Sequence, residues 1–217
     1  MSEVGDIGVL RSVNVADFRL IMLNGSPTKT GIFKLPVEGP VAAGIEGLEG
    51  DHIADRAYHG GFDKALYAYG TEDYEWWSSE LGRDWEPGLF GENLTVEGVD
   101  PSHAEIGERW RVGSTVVEVS EPRSPCSKLA TKMEDRLFVK RFAKALRLGA
   151  YLRVVEPGTV EAGDEIEVLE RPGHGVTTEM AGRVLFGDRS LAARALEAPQ
   201  FSADWRGLLE QQAAKAG

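Results

Sequence analysis

The chain of 217 residues has a single cysteine, Cys126, and contains no long apolar run. One thiol excludes an intrachain disulfide framework and any iron–sulfur cluster held by four cysteines of this chain. The first residues lack the basic start and apolar core of a secretory signal peptide, and no stretch is apolar enough to cross a bilayer. We therefore expect a cytoplasmic protein with no membrane partner.

Basic residues are also scarce, since 24 Lys and Arg stand against 35 Asp and Glu, for a net charge of −11. This charge repels polyphosphate backbones at long range and argues against nucleic-acid binding. A small anionic ligand is still allowed, because it needs only a local group of donors. Such groups occur at residues 29–34 and at Arg123 with Lys128. The composition, with 42% hydrophobic and 27% charged residues, is that of a soluble globular protein.

Apolar residues from the N-terminus to about Leu169 recur in short alternating or compact runs, separated by glycine and proline. Such runs are typical of strands in a barrel or sandwich. The predicted strands lie at residues 18–23, 93–96, 111–112, 116–119, 151–155 and 165–168. In the last of them apolar and acidic residues alternate, which predicts that one face of that strand is exposed.

Two helices are predicted to interrupt these strands. Thr71 is a candidate cap of the first helix. Its apolar stripe consists of Tyr74, Trp77 and Leu81, and the tryptophans of this region are predicted to pack rather than to bind a ligand. The second helix begins after the cysteine and is predicted to end at Gly149. Its apolar stripe is formed by Leu129, Met133, Leu137, Phe138, Phe142 and Leu146.

The remainder of the chain shows a different pattern, of short helices. Ser190 and Ser202 are candidate caps of two of them, and Thr177 or Thr178 of a third. Helices of about ten residues bury little surface alone, so we expect these three to pack on one another and on the strands. The predicted fold class is α+β, mainly β, with a barrel-like domain at residues 1–172 and a three-helix extension at residues 173–217.

Cys126 is the first candidate functional residue. It directly precedes the second predicted helix, and Arg123 and Lys128 lie nearby. The positive end of a helix dipole and two cations favour the thiolate, the form of sulfur that attacks electrophiles and binds soft metals. The alternative is a small buried hydrophobic residue, which is common for an unpaired cysteine. The polar residues and prolines around Cys126 favour the functional interpretation.

Two further segments combine glycine with polar side chains. His59 precedes Gly60-Gly61, and glycine-dense loops allow backbone N–H groups to approach an oxyanion closely. A tight turn explains this segment equally well. Asn93 lies where a loop becomes a strand, which can hold its amide at the rim of a pocket, although it can also bond its own backbone at a hairpin entry.

Taken together, these segments resemble the MOSC domain, named for the C-terminal domain of molybdenum-cofactor sulfurases. The matching residues occur in the family's order, and the helical tail is similar to an extension found in one bacterial branch. That branch is associated with resistance to N-hydroxylated base analogues such as hydroxylaminopurine. The matching segments are residues 29–34, Gly50-Asp51, Asp55, residues 59–61, Lys64-Ala65, residues 90–94, residues 106–108, Pro122-Arg123 and Pro125-Cys126.

The resemblance implies a β-barrel-like domain that binds the molybdenum cofactor, a pterin dithiolene with a phosphate, and places the thiolate of Cys126 at the metal. It implies that His59, Asn93 and Arg123 line the pocket. Donors to pterin or phosphate oxygens would come from Lys29, Thr30 and Lys34. The implied activity is reduction of a small N-hydroxylated compound, with His59 as the candidate proton donor.

Such an enzyme would need an external electron donor, a flavin or iron–sulfur reductase. The sequence contains no Gly-x-Gly-x-x-Gly after a strand, and one cysteine cannot hold a cluster. Two alternatives remain at this point. The chain could carry the molybdenum cofactor, or a persulfide on Cys126, without catalysis. It could also be a barrel whose cysteine is only structural. The sequence leaves the oligomeric state open, with a homodimer among the alternatives.

Overall fold

The strands of the main sheet close on themselves into a seven-stranded barrel. The computed structural model describes residues 5–55, 59–82 and 84–216. Its strands are β1 (Ile7–Val15), β2 (Arg19–Leu23), β3 (Ser26–Thr30), β4 (Leu35–Pro36), β5 (Val41–Gly44), β6 (Gly47–Leu48), β7 (Leu66–Gly70), β8 (Leu94–Glu97), β9 (Arg109–Val112), β10 (Thr115–Pro122), β11 (Ala150–Glu156), β12 (Gly158–Val160) and β13 (Glu165–Glu170).

The order of strands around the barrel is β13-β9-β10-β11-β7-β8-β1, and β1 pairs with β13 to close it. β7 and β8 run parallel, whereas the other neighbours pair antiparallel. A parallel pair needs a crossover connection, and a helix supplies it here. Outside the barrel, β2 and β3 form a hairpin, β12, β5 and β6 form a small sheet, and β4 pairs with β1. The predicted class, mainly β with helices, is confirmed.

Alternation along the strands explains how the barrel fills its interior. In β13, Ile166 and Val168 are fully buried, whereas Glu165 and Glu167 are exposed, as the sequence pattern predicted. The eight residues of β10 are all buried, because a C-terminal helix packs over that strand. Two-sided burial removes the alternating pattern and leaves a continuous buried strand.

The helices lie outside the barrel. They are α1 (Thr71–Leu81), α2 (Ser127–Lys132), α3 (Phe138–Ala145), α4 (Thr178–Leu185), α5 (Ala192–Ala195) and α6 (Ala203–Ala214), with 3-10 turns at Phe62–Lys64 and Arg189–Leu191. In α1 the cap is Gly70, and Thr71 is the first helical residue. No helix of the described part of the chain has both the length and the apolarity needed to span a bilayer.

The single helix predicted after Cys126 is wrong, because the structure has two helices there, α2 and α3. The chain breaks at Glu134, which has a left-handed φ of 56°. The Oδ1 atom of Asp135 then accepts a hydrogen bond of 2.8 Å from the backbone N–H of Leu137 and starts α3. The break turns Leu137 out to solvent, where it is 55% exposed.

An aromatic cluster lies between α1, α3 and the outer face of β7. Trp77 stacks on Phe142 with ring centroids 6.2 Å apart, and Phe90 stacks on Tyr69 at 4.3 Å. The predicted packing role of Trp77 is confirmed, since its side chain is 2% exposed and its indole N–H donates to the Tyr69 hydroxyl at 2.8 Å. This cluster holds the segment around Phe90, which forms part of the site described below.

The C-terminal helices share the core of the barrel. Thr177 and Ser202 cap α4 and α6 as predicted, because their hydroxyls accept hydrogen bonds from the backbone N–H groups of Met180 and Trp205. Ser190 does not cap a helix; it lies within a 3-10 turn and donates to Asp188 at 2.6 Å. The apolar residues of these helices and of the barrel belong to one buried cluster. The domain boundary near residue 172 stays a prediction.

Candidate functional site

A cleft of about 570 Å³, counted out to open solvent, opens beside Cys126. Its walls come from loops that are far apart in the sequence: the segment after β3, the loop after β6, the turn before β7, the loop before β8 and the loop after β10. The lining residues are Thr30, Gly31, Ile32, Lys34, His52, Ile53, Ala54, Asp55, His59, Lys64, Tyr67, Gly91, Asn93, Arg123, Cys126, Lys128 and Tyr151.

Cys126 is half-buried in the wall of this cleft, at the residue that precedes α2. Burial alone would raise the pKa of its thiol. A hydrogen bond from His59, the charge of Arg123 and the backbone N–H of Leu129 outweigh burial and lower the pKa of Cys126 to about 6. The sulfur is therefore largely a thiolate at neutral pH, and thiolate is the form that binds soft metals.

His59 reaches Cys126 from the loop after β6, although the two residues are far apart in the sequence. Its backbone N–H donates to the carbonyl of Asp55 at 2.9 Å. A histidine ring has two nitrogens. One nitrogen is engaged with the sulfur, and the ring also lines the cleft, where a ligand can contact it.

Arg123 brings a buried positive charge to the floor of the cleft. One of its Nη atoms donates to the carbonyl of Phe90, and its guanidinium lies 4.9 Å from the centroid of the Tyr67 ring. The Nε atom is buried and has no hydrogen-bond partner among the residues that the structure describes. A buried donor without an acceptor is costly, so this N–H is suited to an anionic or carbonyl oxygen of a ligand.

Lys34 and Asn93 line the cleft but are bonded to protein groups. The Nζ of Lys34 contacts both carboxylate oxygens of Asp51. The amide of Asn93 donates to Asp51 at 2.9 Å and to the carbonyl of Asn14 at 3.2 Å, and its Oδ1 accepts from the Tyr67 N–H at 3.2 Å. These bonds join three loops, so both residues shape the wall of the cleft.

The two remaining predicted donors differ in position. Thr30 is buried and lines the cleft, and its hydroxyl accepts a hydrogen bond of 3.2 Å from the Ile32 N–H. Lys29 lies on the exposed hairpin outside the cleft, and its Nζ is 3.5 Å from the centroid of the Phe18 ring. The cleft is therefore lined by six of the seven predicted site residues. Lys29 lies outside it. The six are Cys126, His59, Arg123, Thr30, Lys34 and Asn93.

Glycine is required at two points of the wall. A Cβ on Gly31 would lie 1.8 Å from the carbonyl oxygen of His52, so only glycine allows these two loops to meet. Gly91 has a φ of 78°, and a Cβ there would lie 2.8 Å from Cγ1 of Ile32. Both positions fall within segments that carry the resemblance noted above.

Two tyrosines of the cleft were missed by sequence analysis. Tyr67 on β7 and Tyr151 on β11 lie side by side, with ring centroids 5.3 Å apart. They point away from the barrel interior, because Leu66 and Ala68 occupy the inward positions of β7. The sequence did contain a signal for their position. Tyr67 and Tyr69 alternate with Leu66 and Ala68, which places the two tyrosines on one face of the strand and the aliphatic residues on the other.

Comparison with known proteins identifies the family. The MOSC domain profile matches residues 55–167, and the chain is 37% identical over 198 residues to the uncharacterized protein YflK of Bacillus subtilis, covering 90% of each chain. A reductase of Gibberella moniliformis is 34% identical over 169 residues, 76% of this chain and 30% of that one. The crystal structure of YiiM from Geobacillus stearothermophilus superposes with a TM-score of 0.78 at 29% identity, over 94% of this chain and 98% of that chain.

The chain therefore belongs to the MOSC domain family. This family is associated with binding of the molybdenum cofactor.

Proposed function

We propose that this MOSC protein binds the molybdenum cofactor at Cys126 and reduces small N-hydroxylated compounds, including N-hydroxylated purine analogues. The observation that carries the proposal is a cysteine whose pKa is lowered to about 6 and which lines an open cleft beside a buried arginine. A structural cysteine needs neither an ionised sulfur nor access to a cavity.

The residues of the cleft fit the cofactor. Cys126 offers one soft donor, which complements a metal that already carries two sulfurs from the pterin dithiolene. The buried Nε of Arg123 and the side chain of Lys128 offer donors to pterin or phosphate oxygens, and Thr30 lies in the same wall. Lys34 and Asn93 would not contact the cofactor directly. Their hydrogen bonds to Asp51 would hold the loops of the wall in position. When bound, the cofactor would supply a metal able to take an oxygen atom from the substrate.

The protein residues would position the reactants and move protons. Reduction of R–NH–OH consumes two electrons and two protons and gives R–NH₂ and water. His59 contacts the sulfur and also lines the cavity, so its ring is the candidate proton donor to the departing oxygen. Arg123 would hold the ligand and stabilise the thiolate, because its charge is fixed and buried.

The two electrons would come from an external flavin or iron–sulfur reductase. The Gibberella moniliformis relative supports this part of the proposal, because the matched region makes up 30% of a longer chain whose name is Reductase. The chain described here would then receive its electrons from a separate protein. Purified enzyme should be inactive with substrate alone and active once a chemical reductant is added.

Metal analysis combined with turnover tests the proposal. Wild type is purified from cells that make the cofactor, and molybdenum and conversion of 6-N-hydroxylaminopurine to adenine are measured with a viologen reductant. We expect molybdenum and turnover in wild type and in the control Ser79→Ala, whose side chain is exposed on α1, and no turnover in Cys126→Ser. Molybdenum without turnover would identify a cofactor carrier, and sulfane sulfur without molybdenum a persulfide carrier.

A further inference from the structure

The positive charge of this acidic chain is concentrated in one segment that begins beside Cys126. Residues 127–147 contain seven Lys and Arg and two Asp and Glu, a net charge of +5. The remainder of the chain contains 17 Lys and Arg and 33 Asp and Glu, a net charge of −16. The basic segment includes α2 and α3, and α2 begins directly after Cys126. Separated charge of this kind steers and orients a charged partner before contact.

Helix α3 presents its lysines to solvent. Phe138 and Phe142 are buried on its inner side, whereas Lys140 and Lys144, also four residues apart, are exposed on its outer side. Arg136, in the turn before this helix, is exposed as well. These three cations form no ion pair with the part of the chain that the structure describes. They are therefore available to the carboxylates of another molecule.

A second basic segment connects this helix pair to the cleft. Residues 18–34 contain three Lys and Arg and no Asp or Glu. Strand β2 contacts α2, and the guanidinium of Arg19 and the Nζ of Lys132 lie 5.3 and 5.5 Å from the centroid of the Phe33 ring. Lys128, in the first turn of α2, lines the cleft itself. The exposed cations of the two segments, called the basic surface below, include Arg19, Lys29, Arg136, Lys140 and Lys144.

We propose that the basic surface is the docking site of an acidic electron-transfer protein that delivers electrons to the site at Cys126. This inference rests on the function proposed above, which requires two electrons from outside the chain. Opposite charges would bring the partner to the surface that adjoins the cleft, in a small and transient interface. An iron–sulfur protein with one [2Fe–2S] cluster gives one electron. Two reduced partners would therefore be oxidised, and two protons taken from solvent, for each R–NH–OH converted to R–NH₂ and water.

The charge distribution favours a protein over a nucleic acid or a lipid surface. Nucleic acids and anionic bilayers are extended arrays of negative charge. Either one would extend past the basic surface and meet the remainder of the chain, whose net charge is −16. A folded protein can present a compact acidic patch, which contacts the basic surface without this repulsion.

Binding of an acidic plant-type [2Fe–2S] ferredoxin tests the docking site. We expect wild type to bind it at low ionic strength and to lose affinity in about 0.3 M salt. Lys140→Glu should raise the Kd about 5-fold. The control Lys215→Glu, at the exposed end of α6, changes the net charge of the chain equally and should leave the Kd unchanged. Equal effects of the two variants, or no binding by wild type, would overturn the proposal.

Carbodiimide cross-linking of wild type to the same ferredoxin maps the contact without any variant. The reagent joins a lysine amine to a carboxylate that lies against it. Mass spectrometry should find ferredoxin carboxylates joined to Lys29, Lys140 or Lys144, and none joined to Lys215. Cross-links confined to lysines outside the basic surface would overturn the proposal. So would binding of duplex DNA or phosphatidylglycerol vesicles under conditions in which ferredoxin does not bind.

Turnover separates this proposal from the function on which it rests. In cofactor-loaded protein, Lys140→Glu should lower the rate with limiting reduced ferredoxin about 5-fold and leave the rate with a viologen reductant unchanged. Wild type that binds ferredoxin at the basic surface but contains no molybdenum would refute the proposed function and support the docking site. Wild type that is active with viologen but does not bind ferredoxin would refute the docking site and leave the proposed function in place.

Discussion

Lys34 pairs with Asp51 inside the wall of the cleft, where the two side chains are only 7% and 2% exposed. Asp51 also accepts hydrogen bonds from the amide of Asn93 at 2.9 Å and from the backbone N–H of Ala16 at 3.0 Å. One carboxylate therefore joins the segments before β2, after β3 and before β8. The positions of the cleft loops depend on this group.

Asp51→Asn should destabilise the protein strongly, because it leaves the ammonium of Lys34 buried without a charged partner. Breaking one side of a buried ion pair costs about 3–5 kcal/mol, and we expect the free energy of unfolding in urea to fall by that amount. The matched control is Glu97→Gln, which breaks the exposed Arg11–Glu97 pair and should leave the urea midpoint unchanged. Equal effects of the two substitutions would contradict this reading of the cleft wall.

Alkylation of Cys126 by iodoacetamide should follow an ionisation with its midpoint near pH 6, since the pKa of the thiol is lowered to about 6. His59→Ala should move the midpoint to higher pH by removing a hydrogen bond to the sulfur. His103→Ala, in a distant turn where the ring bonds Asp100, is the control and should not move it. A wild-type midpoint near that of a free thiol, about 8.5, would rule out the thiolate.

The same ionisation affects the stability of the fold. The folded pKa of Cys126 lies below the unfolded one, so the thiolate stabilises the protein fully above about pH 8.5. This contribution is lost as the pH falls towards 6. Urea unfolding of wild type and Cys126→Ser between these limits should show the stability of wild type rising more steeply with pH. Parallel curves would indicate that the sulfur has an ordinary pKa.

Gly31→Ala should disrupt the cleft, because the new Cβ would lie 1.8 Å from the carbonyl oxygen of His52. We expect a lower melting temperature and faster alkylation of the cysteine as the loops separate. Gly207→Ala is the control, since this helical glycine has no atom within 4 Å of an added Cβ. Replacing a helical glycine by alanine should raise the free energy of unfolding by about 0.5–1 kcal/mol. The two alanines should thus have effects of opposite sign.

Phe142→Ala should cost about 3–5 kcal/mol of stability, as is usual for truncating a fully buried aromatic side chain. Phe142 stacks on Phe90, whose carbonyl accepts the hydrogen bond from Arg123, so the alkylation rate of Cys126 should change as well. Leu137→Ala removes an exposed side chain of the neighbouring turn and should have little effect. Comparable losses for the two variants would support one continuous helix instead of the two observed.

Some features could be predicted from sequence because their signals are local. The strand containing Ile166 alternates visibly, Ser202 precedes a helix as a cap should, and the neighbours of Cys126 are polar. The break at Glu134 could not be predicted, because an apolar stripe can continue through a turn when the apolar residues on both sides, Met133 and Phe138, belong to the same buried cluster. Contacts between distant segments were also inaccessible, as the hydrogen bond between Glu121 and Ser202 illustrates.

The sequence drew attention to several residues that line the cleft, but it did not show the bonding of each residue. The structure places Cys126, His59 and Arg123 in one cleft, and their roles there stay predictions. The resemblance implied that Lys34 donates to pterin or phosphate oxygens, but burial forces such a cation to take a partner, and the pattern of residues does not show which one. Trp205 lies 79 positions after Cys126, yet it lines a cavity beside it, because a helix at the end of the chain folds back on β10.

The measurement that tests the central claim most directly is molybdenum K-edge X-ray absorption of the cofactor-loaded protein. The account predicts that the metal in wild type has one more sulfur ligand than the metal in Cys126→Ser, with the difference contributed by the cysteine. Identical sulfur coordination in the two proteins would show that Cys126 does not bind the metal, and would contradict the account.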